Sequence, residues 1–94
     1  MSSGKIGAQI AHASRMSNER DRENPIYKEW FNNCMKTVVM KGDEKDLLKL
    51  ESQGFISVHD NGLTEIPSGS LTVVVLDVMT RIEAKQFTKK LQCL

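Results

Sequence analysis

Two groups of residues in this sequence carry side chains able to do chemistry. Lys5, Gln9 and His12 recur at helical spacing, setting an ammonium, an amide and an imidazole along one face. Between Asp60 and Thr72 the chain reads Asp-Asn-Gly-Leu-Thr-Glu-Ile-Pro-Ser-Gly-Ser-Leu-Thr. That run places the Asp60 carboxylate, the hydroxyls of Thr64, Ser70 and Thr72, and the glycines Gly62 and Gly69 in a loop between two strongly apolar strands. Such a loop can line an oxygen-rich pocket, and loops hung on a rigid sheet are where site residues concentrate. Asp, Asn, Gly and Ser are also the ordinary residues of a polar turn. On composition alone both readings stand.

The elements that must position these residues follow from periodicity. Lys5 to about Ser17 reads as a helix, with Ile6, Ile10 and Ala13 forming its apolar stripe. Asn18 to Asn24 carries only charges and amides, a solvated helix end or loop. Asn24 then caps a second helix with Pro25 in its first turn, running to about Asn33 and turning Ile26, Tyr27, Trp30 and Phe31 inward. Thr37 to Met40 has the short apolar pattern of a buried strand. Asp43 caps a helix anchored by Leu47, Leu48 and Leu50, which Gly54 ends. Phe55 to His59 and Leu71 to Val78 are further strands, and a last helix runs from Thr80 or Arg81 through Leu91, with Ile82, Phe87 and Leu91 on one side. The alternation predicts an α/β fold, a mixed β-sheet of three to four strands sandwiched between helices. The chain opens straight into a helix where such folds ordinarily place a strand first. The expectation is a strand lost, or supplied from elsewhere.

Composition bounds the rest. Ninety-four residues suit a single domain over residues 1–94, and 39% hydrophobic with 27% charged residues is an ordinary globular balance. A net charge of +1 argues against broad polyanion binding while leaving room for a local basic patch. The two cysteines, Cys34 and Cys93, lack metal spacing and sit beside apolar neighbours, which predicts reduced packing residues. No apolar run approaches the roughly 20 residues of a membrane span, and no signal segment opens the chain, so a cytoplasmic protein is expected.

Three ordered blocks resemble the type II peptidyl-tRNA hydrolases, the archaeal and eukaryotic kind. The first is Gly4-Lys5-Ile6-Gly7-Ala8-Gln9-Ile10-Ala11-His12-Ala13, similar to that family's Gly-Lys-x-Ala-Ala-Gln-x-x-His-Ala helix start. Asn24-Pro25, Trp30 and Thr37-Val38-Val39-Met40-Lys41 follow. Last comes Asp60-x-Gly62-x-Thr64-x-Ile66-x-x-Gly69-x-x-Thr72, the family's most specific signature. The family's Val-rich first strand, which ends near the position of Met1, is absent. Ser3 and Leu63 stand where basic residues are often found.

The resemblance implies hydrolysis of the ester joining a peptide to the 3′ ribose of tRNA. That chemistry needs a positioned water, a polarised carbonyl and a grip on the tRNA end, with no metal or other cofactor. By this resemblance Lys5, Asp60, Thr64 and Thr72 match family positions implicated in activity, and His12, the fifth catalytic candidate, matches a further site residue. His12 can accept the proton of water, Asp60 can orient His12 or the water, and Lys5 near a helix N-terminus can receive a phosphate or the developing oxyanion. The hydroxyls of Thr64 and Thr72 can bond water or ribose. Gln9, Lys41, Gly62, Gly69 and Ser70 are the substrate-binding candidates, Lys41 as a phosphate contact. Arg15, Arg20 and Arg22 alternate with Glu19, Asp21 and Glu23, the pattern of a solvated mixed-charge face. A noncatalytic relative that binds RNA or a protein partner is the second reading, favoured by the missing strand and the two absent basic positions. Retention of all five candidate catalytic residues favours the enzyme. The partner expected is tRNA carrying a peptidyl ester, with no membrane, and the exposed sheet edge predicts a homodimer.

Overall fold

The computed structural model describes residues 1–60 and 69–94. In chain order it contains α1 (Ser3–Asp21), α2 (Pro25–Phe31), β1 (Met40–Lys41), α3 (Glu44–Ser52), β2 (Ile56–His59), β3 (Leu71–Val75), α4 (Arg81–Thr88) and β4 (Gln92–Cys93). The α/β class holds. The sheet is smaller than expected: β2 pairs antiparallel with β3, and β1 pairs antiparallel with β4, giving two sheets of two strands each among the described residues.

The shortened strands share one cause, because an apolar run becomes a strand only where another backbone pairs with it. Of the run from Thr37, only Met40 and Lys41 enter β1, opposite Cys93 and Gln92, while Val38 and Val39 stay exposed. β3 ends at Val75, the partner of Ile56, so the apolar residues beyond it lie outside the ladder. The last helix stops at Thr88 rather than Leu91, because its tail turns back to pair as β4, and the Leu94 N–H donates to the Val39 carbonyl at 2.9 Å. Ile82, expected inward, is 80% exposed. Both cysteines are free and exposed, which corrects their expected packing role.

The helix starts are specified locally. Ser2 caps α1, its Oγ accepting from the Lys5 N–H at 3.2 Å, and Asn24 caps α2, its Oδ1 accepting from the Ile26 N–H at 2.8 Å. Asp43 and Asp46 form a reciprocal capping box on α3, and Thr80 and Glu83 form another on α4. Gly54 follows α3 with φ of 92°, a left-handed conformation that glycine adopts without a Cβ penalty.

α1 and α3 pack on the β2–β3 pair. The buried stripe of α1 is Gln9, Ala13 and Ser17, spaced four apart, while Ile6 and Ile10 are half-buried on its flank. The polar face of this helix is therefore the one that meets the sheet. Tyr27, Leu50 and Val58 complete the buried apolar set with Ala13. Phe55, just before β2, meets Phe87 of α4 edge-on at 5.0 Å between ring centres.

Candidate active site

The burial of a polar helix face needs partners, and the β2–β3 pair supplies them. Lys5 and Gln9 lie one turn apart on α1. The Lys5 ammonium forms an ion pair and hydrogen bond with Asp60 Oδ1 at the end of β2, and the two side chains are only 8% and 1% exposed. One turn on, the Thr72 hydroxyl of β3 stands 2.7 Å from Gln9 Oε1 and 3.0 Å from the Val58 carbonyl oxygen. A hydroxyl carries one proton, so Thr72 donates to one of these oxygens at a time. Gln9, Asp60 and Thr72 are all buried. A lysine near a helix N-terminus opposes the helix dipole, and α1 has no acidic residue in its first turn. Asp60 brings from the sheet the negative charge that the helix lacks in sequence.

The backbone at the base of the 60–69 loop is fixed as tightly. The Asp60 N–H donates to the Ser70 carbonyl at 2.8 Å, and the Gly69 N–H donates back to the Asp60 carbonyl. Gly69 has φ of 85°, which explains a glycine at the closing corner. Lys5, Gln9, Asp60, Gly69, Ser70 and Thr72 therefore come together where α1 crosses the ends of β2 and β3. Gly62 and Thr64 lie outside the described residues. His12 is exposed and lines an open depression with Arg15, Met16, Ser57, Val58 and His59, and no hydrogen bond joins it to Asp60 among the described residues. Lys41 is exposed in the other sheet, opposite Gln92.

A second polar set lies on α3 and β2. Glu51 Oε2 accepts from the Ser57 hydroxyl at 2.7 Å and meets His59 Nε2 at 2.7 Å, while His59 Nδ1 lies 2.9 Å from the Gly69 carbonyl oxygen. The bond to the Gly69 backbone, and then the one to Glu51, raise the His59 pKa above its ordinary value. Ser57 first, and His59 next, hold Glu51 below the usual carboxylate range. Sequence reasoning passed over these three residues, because eight positions separate Glu51 from His59 and only folding brings them together. Arg20 is held by Asp21 at 2.9 Å and by Asp77, so part of the mixed-charge run after α1 is internally paired.

A buried ammonium–carboxylate pair, a hydroxyl and an amide at the base of one loop can orient a water and receive negative charge, the needs of ester hydrolysis. Among the described residues no helix is long and apolar enough to cross a membrane. Comparison with known proteins agrees with this chemistry. The family described as peptidyl-tRNA hydrolase PTH2 matches residues 1–94. A peptidyl-tRNA hydrolase of Methanopyrus kandleri is 40% identical over 81 residues, spanning 77% of this chain and 69% of that protein. One of Thermococcus sibiricus is 35% identical over 85 residues, spanning 81% of this chain and 72% of that protein. The probable peptidyl-tRNA hydrolase 2 of Dictyostelium discoideum is 31% identical across 98% of this chain and 48% of its own length. With Lys5 and Gln9 of the helix start joined to Asp60 and Thr72 of the loop signature in one buried cluster, and the match running end to end, this chain belongs to the type II peptidyl-tRNA hydrolase family.

Proposed function

We propose that the chain hydrolyses the ester between a peptide and the 3′ ribose of tRNA, releasing both, at the cluster built on the Lys5–Asp60 pair. The observation that carries this reading is that pair: two family-motif residues 55 positions apart, buried together with Gln9 and Thr72 behind them. An aminoacyl ester is already reactive, so the protein's task is placement. Asp60 orients the attacking water, and Lys5 offers a preorganised positive charge to the oxygen that becomes negative in the transition state. Thr64 and Thr72 supply hydroxyls for water or ribose. His12, open to solvent, takes up the proton. Gln9 holds Thr72, while Gly62, Gly69 and Ser70 present backbone to the terminal nucleotide and Lys41 meets a phosphate.

Labelled peptidyl-tRNA tests this directly. Wild-type protein should cleave the ester, and Asp60→Ala and Lys5→Ala should each lose on the order of 100-fold or more in kcat/KM. Binding of tRNA without cleavage by the wild type would overturn the enzymatic reading in favour of a binding module.

The reading extends to a single domain over residues 1–94, working in the cytoplasm where its substrate arises, and to a homodimer. Each described strand has one edge without a strand neighbour among the described residues, and Val38, Val39, Ile82 and Leu94 are exposed. Sedimentation velocity should show a dimer, and a sharp monomer at all concentrations would remove that part.

A further inference from the structure

The site loop is anchored at its base by a residue that the hydrolytic reading does not use. His59 immediately precedes Asp60 and bridges two elements: its Nδ1 reaches the Gly69 carbonyl and its Nε2 reaches Glu51 of α3. A carbonyl oxygen only accepts, so Nδ1 carries a proton. The partner of Nε2 is a carboxylate oxygen, which also accepts. The ring satisfies both contacts best as the imidazolium, donating at each nitrogen.

Gly69 faces Asp60 across the ends of β2 and β3. Its N–H binds the Asp60 carbonyl, and its own carbonyl binds His59, so one residue is gripped on both sides. The register shift between Val58 and His59 falls at this point, where the ladder of β2 and β3 is least regular and the backbone needs another restraint. We propose that His59 is a positioning residue of the hydrolytic site, a charged clamp from α3 to Gly69 that holds the base of the loop and so sets Asp60 against Lys5. The proposal rests on the hydrolase reading for its catalytic consequence, and on geometry alone for the clamp.

The charged and titratable groups around His59 can be named from each element. α3 contributes Glu51. α1 contributes His12 and Arg15, which line the same depression. β2 contributes Asp60, whose side chain turns away to Lys5, and β3 places Leu71 opposite. The contact to the Gly69 backbone, and then that to Glu51, raise the His59 titration. The clamp is closed while the ring is charged and opens as pH rises through that titration.

Two measurements test it, on wild type, Glu51→Gln and His59→Gln. By NMR, the Asp60 and Gly69 amide resonances should move with the midpoint of the His59 ring in the wild type. In Glu51→Gln, an isosteric change at a half-buried position, ring and amides should shift together to lower pH. In peptidyl-tRNA hydrolysis, the alkaline loss of kcat should share that midpoint and move with it in Glu51→Gln. His59→Gln should lose roughly 10- to 100-fold in kcat through misplacement, with KM little changed and the alkaline limb gone. Amides that ignore the His59 titration, or an alkaline limb unmoved in Glu51→Gln, overturn the proposal. A wild type without turnover would defeat the hydrolase reading, and the amide resonances would then decide the clamp by themselves.

Discussion

At the scale of single residues, the site depends on polar groups buried in mutual contact. Thr72 is the clearest case, because its one hydroxyl proton goes to Gln9 Oε1 of α1 or to the Val58 carbonyl in turn. Thr72→Val keeps the shape and removes the hydroxyl, leaving the buried Gln9 amide short of a partner. We expect a loss of about 1–3 kcal/mol in unfolding free energy, read from urea denaturation, together with reduced turnover. An unchanged urea midpoint would mean that Gln9 finds another partner. The Lys5–Asp60 pair has more at stake: removing one member breaks a buried ion pair, at a cost of roughly 3–5 kcal/mol. Activity assays on Lys5 and Asp60 variants therefore need a check by circular dichroism that the chain remains folded.

At the scale of elements, capping and backbone pairing set the boundaries. α2 has seven residues, too few to be stable on propensity, so its start rests on Asn24, whose Oδ1 accepts from Ile26 and Tyr27. Asn24→Ala should destabilise the protein by about 1 kcal/mol. For a chain of this size that lowers the melting temperature by roughly 4–8 °C, and a change below a degree would show that the cap contributes little. The caps at Asn24 and Asp43 were legible because a cap acts within three residues of itself. The strand lengths were not. Val38, Val39 and the residues past Val75 have strand character, but pairing depends on a backbone far away in sequence.

At the scale of the whole molecule, α1, the β2–β3 pair and α3 are tied by charge as well as by packing, which gives stability a pH dependence. The His59 pKa is raised in the folded state, so its contribution is fully present below the ordinary value of 6.5 and fades as pH rises through the folded value. Glu51 is lowered, so its contribution is present above its ordinary value of 4.5 and is lost as pH falls through the folded value. The urea midpoint should therefore be higher near about pH 6 than near about pH 9, and His59→Gln should flatten that slope. An equal slope in the variant would assign the dependence to other groups. By itself the sequence determined the α/β class and, to within a few residues, the helix starts, since these rest on spacing and on caps that act locally. Tertiary structure alone decided that the Lys5–Gln9 face of α1 is buried, that Asp60 pairs with Lys5 while His12 opens to solvent, and that Glu51 meets His59. Those outcomes depend on how a helix is rotated against a sheet, and the rotation is chosen by the polar partners each side must satisfy, which no local pattern records.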